Sequence, residues 1–577
     1  MMSSRTIDVS PTYRRGLWLV LAAALVWVVV VRVPLVLNAE SHLDSDLAVD
    51  GLTLGEAVRG HWRWHYPGTP HIGTLPVLLS WPQACAWGAN PIMLVSGGTV
   101  AYVGLVAATF LLTWRAFGPP VAAWGLVPLA FASTGVIWLS GRITGGHLPA
   151  AAWHAGAFAL LHAALANDRP RDVLALGLWC GLGVSLDTMF LVTLASLLPA
   201  AAAGWWLSGR SRRGLLRGLL VVPAFLAGAW PSQVGARLDP YDAYQDQFRP
   251  IFRRDVLEGH ARVLVRDCLP RLFAGHRLPG LQADPDLSAP VGPGPSRGRP
   301  DPSPLAAAAT TAGLALALAS AVALVAQCLA SRDAAQGAVC LGLLASSVAV
   351  VAGSVLNRNI FNSDNYRYLV DLLVPWSIGS GLTLRSLARR GPGGLAAAVL
   401  LAATLAGLMT LDTTRWYARF GWIDAQGRPV HKPLDDPALA WLEAHPEVRR
   451  VLGGYWDVYR LSFLTGGRVQ GVPYPIYPDR FPEWSLPPSG GSPDVLLIRP
   501  SPEAWPFLES ALRSGGRVLH QARGIAIVSW PGWTAISSPS EPAHSAPAAH
   551  AANPHSYEFG DNPKPAPSLT SSCRAPQ

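Results

Sequence analysis

Residues 16–82 read GLWLVLAAALVWVVVVRVPLVL (16–37) and then NAESHLDSDLAVDGLTLGEAVRGHWRWHYPGTPHIGTLPVLLSWP (38–82). The first part is apolar apart from Arg32, and about 20 such residues suffice for one helix to cross the hydrocarbon layer of a bilayer. It is longer than the apolar core of an ordinary signal peptide, and the cleavage pattern near Ala39 is poor, so it reads as an uncleaved first span. The second part places Glu40, Asp44, Asp46, Asp50 and Glu56 just beyond that span. Asp46 and Asp50 are four residues apart, which puts them on one face of a helix. Residues 46–59 are predicted to form a helix lying at the membrane surface, with Leu47, Leu54 and Val58 on its apolar face. The aromatic residues Trp62, Trp64, Tyr66, Trp81 and Trp87 then read as interface anchors.

The rest of the chain repeats the pattern of the first part. Of 577 residues, 50% are hydrophobic and only 14% are charged, against roughly 25% charged in a soluble domain, so lipid has to serve as part of the solvent. The 23 Trp residues fit a chain with long membrane interfaces. About eleven apolar runs have spanning length, near 16–37, 92–114, 120–140, 148–166, 173–187, 189–207, 215–232, 305–330, 337–355, 368–386 and 393–411. The pair at 173–207 also reads as one long tilted helix plus a re-entrant piece. The predicted fold class is therefore mainly α, a polytopic transmembrane helical domain.

Basic residues orient these spans. With the N-terminus and its Arg14 and Arg15 in the cytoplasm, the alternate short loops carry Arg115; Arg169 and Arg171; Arg210, Arg212 and Arg213; Arg332; and Arg385, Arg389 and Arg390. Every short loop on one side is then basic, as the positive-inside bias requires. The opposite, extracytoplasmic side of what reads as a bacterial inner membrane receives 38–91, 141–147, 233–304, 356–367 and everything after about 412. The net charge of +9 thus speaks for topology and lipid contact, and no nucleic-acid partner is expected.

The domain organisation follows. Residues 1–411 form the membrane domain, with external loops 38–91 and 233–304. Residues 412–536 alternate helix-like 436–445, 455–464 and 502–513 with strand-like 449–453, 494–498 and 523–529, which predicts a small external α/β domain. The Pro/Gly/Asp-rich stretch 280–304 reads as irregular, and 537–577, rich in Pro, Ala, Ser and His, as a disordered tail. The six cysteines show neither CxxC nor His-interleaved spacing, and read as small apolar residues. No phosphate-binding loop, dinucleotide fingerprint or HExxH occurs, which removes ATP-driven pumps, nicotinamide enzymes and the HExxH metalloproteases.

A carboxylate held at the water–lipid boundary can take a proton from a sugar hydroxyl while a lipid carrier stays in the bilayer. The plainer reading of the same acids is that they solvate a loop and cap a helix. Here the run SDLAVDGLTLGEAVRGHWRWHYPGTPHIGTLPVLLSWP resembles the first external loop of bacterial GT-C glycosyltransferases, the superfamily that includes protein mannosyltransferases and lipid A aminoarabinose transferases. By that register Asp46 falls on the family's catalytic Asp, Ala48 on its Ala, and Gly73-Thr74-Leu75 on its later element. Leu47 stands where the family usually has Glu, and Pro76 where an acidic residue often follows, and both departures weaken transfer of a metal site. SGRITGGHLPAAAWHAG (140–156), SDNYRYLVDLLVP (363–375) and GGYWDVYRLSFLTGGRVQG (453–471) resemble later elements of the superfamily in the right order.

The resemblance implies a transferase that uses a polyprenyl-phosphate-linked sugar donor, an extracytoplasmic glycan, lipid or protein acceptor, and inversion by one displacement. Negative charge then develops on a leaving phosphate, a task for Arg with its permanent charge and planar two-donor geometry. Arg367, between Tyr366 and Tyr368, is the first candidate, Arg142 the second and Arg32 the third, although interface anchoring accounts for Arg367 and snorkelling for Arg32 equally simply. Asp46 is the candidate catalytic base; Asp44, Asp50, His71, Arg142, His147 and Arg367 are candidate substrate-binding residues. Asp187 reads either as a solvated turn or as functional, and His154 and His162 as packed residues on one helix face. Asp457, Tyr459 and Arg460 read as organising the C-terminal domain. No cofactor is specified, and a divalent metal is left open. A transporter or lipid flippase is the rival reading, predicting charges at mid-membrane, and a membrane-anchored assembly protein working through residues 412–577 is a second.

Overall fold

The computed structural model describes residues 11–143, 147–208, 217–238, 241–243, 250–275, 304–357, 363–485, 494–499 and 504–530. The stretches 280–303 and 537–577, predicted to be irregular and disordered, lie outside the described residues. The described residues all fall in one compact unit.

Each of the eleven apolar runs contains helix. Seven of the described helices are long and apolar enough to cross a membrane: Arg14–Leu37, Pro91–Phe117, His147–Asn167, Phe190–Leu207, Pro304–Ala330, Ala334–Leu356 and Pro392–Phe420. The run 120–140 is broken into Pro119–Ala130 and Thr134–Leu139, with Ser133 capping the second piece. The pair at 173–207 is two helices, Pro170–Leu186 and Phe190–Leu207. Asp187 ends the first, and its Oδ1 accepts from the Met189 backbone N at 2.8 Å to start the second.

In lipid the hydrophobic effect gives little drive for helix association, so close backbone approach between small residues has to supply it. Helices Pro170–Leu186 and Val221–Leu238 meet in this way: a Cβ on Gly181 would lie 2.1 Å from the Phe225 carbonyl oxygen, and one on Gly228 would lie 2.3 Å from that of Leu178. Polar side chains add ties between helices. His154 is buried and hydrogen-bonds Thr193 at 2.9 Å, the packing role its sequence position suggests. Arg32 does not snorkel: it is fully buried, bonded to Ser140 and to the Val28 carbonyl, with its guanidinium 4.0 Å from the Tyr102 ring centroid.

Two small sheets lie outside these helices. Strands β1 (His65–Tyr66) and β2 (Thr69–Gly73) form a hairpin in the first loop. Strands β3 (Arg450–Gly453), β4 (Gln470–Pro473), β5 (Asp494–Ile498), β6 (Val518–Ala522) and β7 (Ile525–Ser529) form a mixed sheet in the order β4-β3-β5-β7-β6. β3 runs parallel to both β4 and β5, while β7 is antiparallel to β5 and β6. The periodicity of the sequence finds β3, β5 and β7 but misses β4, which is short and ends in Pro473, and β6, an edge strand with exposed Val518 and Leu519.

One expectation about the first loop is overturned. The helix Ser45–Val58 forms as predicted, but Leu47 and Leu54 are fully buried in one apolar cluster with Val458, Leu461, Val495 and Ile527. The face predicted to lie on lipid instead covers the helix Tyr455–Leu464. Gly51 allows this contact, because a Cβ there would sit 2.5 Å from Cζ of Phe463. Removing each leucine from water contributes roughly 1.5–3 kcal/mol.

Candidate active site

The first turn of the helix Ser45–Val58 organises the site. Asp44 has extended backbone and its Oδ1 accepts from the Leu47 backbone N at 3.0 Å, an N-cap that satisfies a donor the helix cannot use itself. Its Oδ2 pairs with Arg142. Arg142 also donates to the His42 carbonyl at 3.3 Å and lies 4.8 Å from the Trp138 ring centroid. The two candidates Asp44 and Arg142 are thus brought together and fix where the helix begins.

Asp46, one residue into the helix, points elsewhere. Its Oδ1 accepts from Tyr455 Oη at 2.6 Å, its backbone carbonyl accepts from Tyr66 Oη at 2.9 Å, and its Oδ2 lies 3.8 Å from Arg367 Nη1. The Asp46 side chain keeps 16% exposure and that of Arg367 32%, so a substrate can reach both. Asp50, one turn on, is buried. Tyr66 feels both carboxylates: burial, then Tyr455 and Asp46, hold its hydroxyl protonated far above the ordinary tyrosine range, with Arg480 opposing and Asp50 adding to the rise.

Arg367 stands on a 3-10 turn, Ser363–Leu372, directly before the helix Leu373–Ala388. Its Nη2 donates to Tyr368 Oη at 3.4 Å, and the Tyr368 ring meets the His147 ring edge-on at 5.0 Å between centroids. His147 Nδ1 is in turn 3.4 Å from Asp187 Oδ2. Asp187 is not a solvated turn: it is 2% exposed, and its backbone pairs with Ile72 of β2. Beside it the His71 carbonyl accepts from the Thr188 backbone N at 3.1 Å. His71 therefore ties the hairpin to the helix break through its backbone. The chain of contacts runs without a gap from Asp187 through His147, Tyr368 and Arg367 to Asp46 and Tyr455.

On the far side, Arg480 donates from Nε to Tyr455 Oη at 3.1 Å and from Nη1 to the Pro67 carbonyl at 3.3 Å. Neither Tyr455 nor Arg480 was recognised as a site residue from sequence. Tyr455 opens a motif read as domain architecture, and Arg480 sits in a Pro/Tyr-rich stretch without periodicity, so only the fold brings them to Asp46. The neighbours Asp457, Tyr459 and Arg460 do organise the C-terminal domain: Asp457 pairs with Arg499, Tyr459 donates to Asp479, and Arg460 pairs with Asp436. Among the described residues, no group of three or more His, Cys, Asp and Glu side chains is placed to share a metal ion. Around Asp46 the neighbours are two phenols and a guanidinium, a donor set that does not fit a divalent cation.

No protein-family model matches this sequence, and no curated protein matches it. Among solved structures it is similar to ArnT from Cupriavidus metallidurans in the apo state, with a TM-score of 0.56 at 13% identity, covering 90% of this chain and 98% of that one. It is similar also to the same protein bound to undecaprenyl phosphate, with a TM-score of 0.55 at 14% identity, covering 89% and 97% of the two chains. The likeness covers most of both chains, and this chain shares the fold of these two structures.

Proposed function

We propose that this chain is an integral-membrane glycosyltransferase that moves a sugar from a polyprenyl-phosphate carrier to an acceptor on the extracytoplasmic face. The observation that carries this reading is the pairing, at 3.8 Å, of a partly exposed carboxylate with a partly exposed guanidinium, Asp46 and Arg367, at the ends of two apolar segments. That the ArnT fold holds undecaprenyl phosphate supports the choice of carrier.

In this mechanism the acceptor hydroxyl oxygen attacks the anomeric carbon as the bond from that carbon to the carrier phosphate breaks. The electron pair departs with the polyprenyl phosphate, and the acceptor proton passes to Asp46 Oδ2. In-line geometry sets the entering and leaving oxygens on opposite faces of the sugar, so one displacement inverts the centre. Arg367 lies close enough to Asp46 for a leaving phosphate to compete for its guanidinium. As the donor phosphate draws the guanidinium towards itself, the guanidinium stabilises the departing charge while Asp46 receives the proton. In this reading His147, joined to Arg367 through Tyr368, contacts the donor, Asp44 and Arg142 hold the helix start, and His71 ties the hairpin to the helix break.

The test uses the purified full-length protein in nanodiscs with a panel of polyprenyl-phosphate-linked sugars, detecting released carrier phosphate and glycosylated product by mass spectrometry. Wild type consumes at least one donor, and Asp46→Asn lowers transfer by about 10²–10⁴-fold while inserting normally. Full transfer by Asp46→Asn sinks the mechanism, and the flippase becomes the starting point. For topology, Arg59→Cys and Glu447→Cys, both exposed, in a Cys85→Ser/Cys573→Ser background react with an impermeant maleimide from outside; labelling from the cytoplasm reverses the assigned orientation.

A further inference from the structure

We infer that Tyr455, carried by the C-terminal domain, is a positioning residue for the reaction: it fixes the Asp46 carboxylate by Oδ1 and so dedicates Oδ2 to the acceptor proton. This rests on the reading of Asp46 as the base. Tyr455 Oη donates to Asp46 Oδ1 at 2.6 Å and accepts from Arg480 Nε at 3.1 Å. A hydroxyl that accepts from a guanidinium is polarised and donates more strongly to a carboxylate.

Arg480 is itself held from two sides. Its side chain is 6% exposed and donates to the Pro67 carbonyl and to Thr69 Oγ1 at 3.3 and 3.4 Å, both in the first-loop hairpin. It lies 5.0 Å from the Tyr66 ring centroid, and its backbone N donates to Tyr459 Oη at 2.7 Å inside its own domain.

The consequence is mechanical. The terminal torsion of an aspartate is broad and roughly two-fold, so an untethered Asp46 would present either oxygen or follow Arg367 as the guanidinium turns to a phosphate. With Oδ1 tied to Tyr455 it does neither. The C-terminal domain therefore supplies part of the base assembly, and a substitution more than 400 residues away in sequence alters the chemical step.

Tyr455→Phe tests this in full-length protein in nanodiscs, because it keeps the packed ring and removes only the hydroxyl. Binding is measured with undecaprenyl phosphate, and turnover with the undecaprenyl-phosphate sugar that wild type consumes. The variant loses about 10–100-fold in kcat, the effect of one hydrogen bond to a charged group, while undecaprenyl phosphate affinity and binding sites per molecule stay within about two-fold. If Tyr455→Phe does not fold, Arg480→Gln decides, with an expected fall of about 3–10-fold in kcat at unchanged binding. Wild-type kcat in the folded variant, or a loss of turnover matched by a loss of binding sites, overturns the inference. Loss of transfer in Asp46→Asn with full turnover in Tyr455→Phe defeats the positioning role alone; full transfer in Asp46→Asn defeats both readings.

Discussion

The Asp46 carboxylate and the Arg367 guanidinium, which lie on separate elements far apart in sequence, stand 3.8 Å from one another. At that distance each partly cancels the other, so a ligand phosphate competes with Asp46 for the arginine. Arg367→Ala is expected to weaken undecaprenyl phosphate binding by about 10–100-fold, the effect of losing charge-assisted hydrogen bonds. Arg367→Lys recovers only part of this, since it keeps the charge and loses the planar fork. Titration of the nanodisc-embedded variants reads both numbers, and unchanged affinity in Arg367→Ala removes this residue from the donor site.

Asp44 and Asp46 are two residues apart and are expected to fail differently. Asp44→Ala removes a helix cap worth about 0.5–2 kcal/mol and strips Arg142 of its carboxylate, so it lowers the apparent Tm followed by tryptophan fluorescence. Below that temperature Asp44→Asn, which retains a capping oxygen, keeps transfer within about ten-fold of wild type, well short of a general-base loss. A deeper loss in Asp44→Asn than in Asp46→Asn would reverse their roles.

The sequence made some of this legible because local chemistry was enough. Apolar length located the helices, and the first-loop motif singled out Asp46. Arg367 stood out as a cation entering an apolar run. Other features depended on distant partners. Leu47 and Leu54 form the same apolar stripe whether lipid or protein covers them, so periodicity could not reveal the C-terminal domain as the cover. Asp187 stayed open between a solvated turn and a functional residue because the neighbours beside it, Ile72 of β2 and His147 at the start of the helix His147–Asn167, are distant in sequence. Tyr455 and Arg480 reach Asp46 only because the helix Tyr455–Leu464 packs on the first-loop helix and Arg480 bonds the hairpin.

The contact of Gly51 with Phe463 makes a prediction about size. Gly51→Ala places a methyl 2.5 Å from Cζ of Phe463, and overpacking of this kind costs about 1–3 kcal/mol. The apparent Tm of the full-length protein should fall, and turnover should fall with it as Tyr455 moves away from Asp46. Combining Gly51→Ala with Phe463→Leu should return much of both. Additive damage in the double variant would show that the two residues do not share one contact.

A pH dependence is expected in the C-terminal domain. Burial raises the Asp436 pKa, but the charge and hydrogen bond of Arg460, with the backbone N–H groups of Leu439 and Ala438, outweigh it and leave the carboxyl below its ordinary 3.8. A folded-state value below the unfolded one contributes stability that is full above the unfolded pKa and is lost as pH falls through the folded value. The apparent Tm of wild type should therefore exceed that of Asp436→Asn near pH 6, and the two should converge as pH falls through the folded value. Trp441, on the helix that Asp436 caps, provides the fluorescence signal, and a gap that widens on acidification would contradict the assignment.

The seating of the first-loop helix on the domain helix Tyr455–Leu464 also sets the order in which the protein is made. Asp46 leaves the ribosome early, whereas Tyr455 and Arg480 follow only after roughly 400 more residues, a delay of roughly 20–90 s at ordinary rates of translation. Throughout that interval the face of the first-loop helix that meets Tyr455–Leu464, with Gly51 at its contact, lacks that cover. A nascent chain stalled before residue 450 would thus carry its membrane helices together with an unfinished, aggregation-prone first loop, and the base assembly would be among the last parts of the molecule to form.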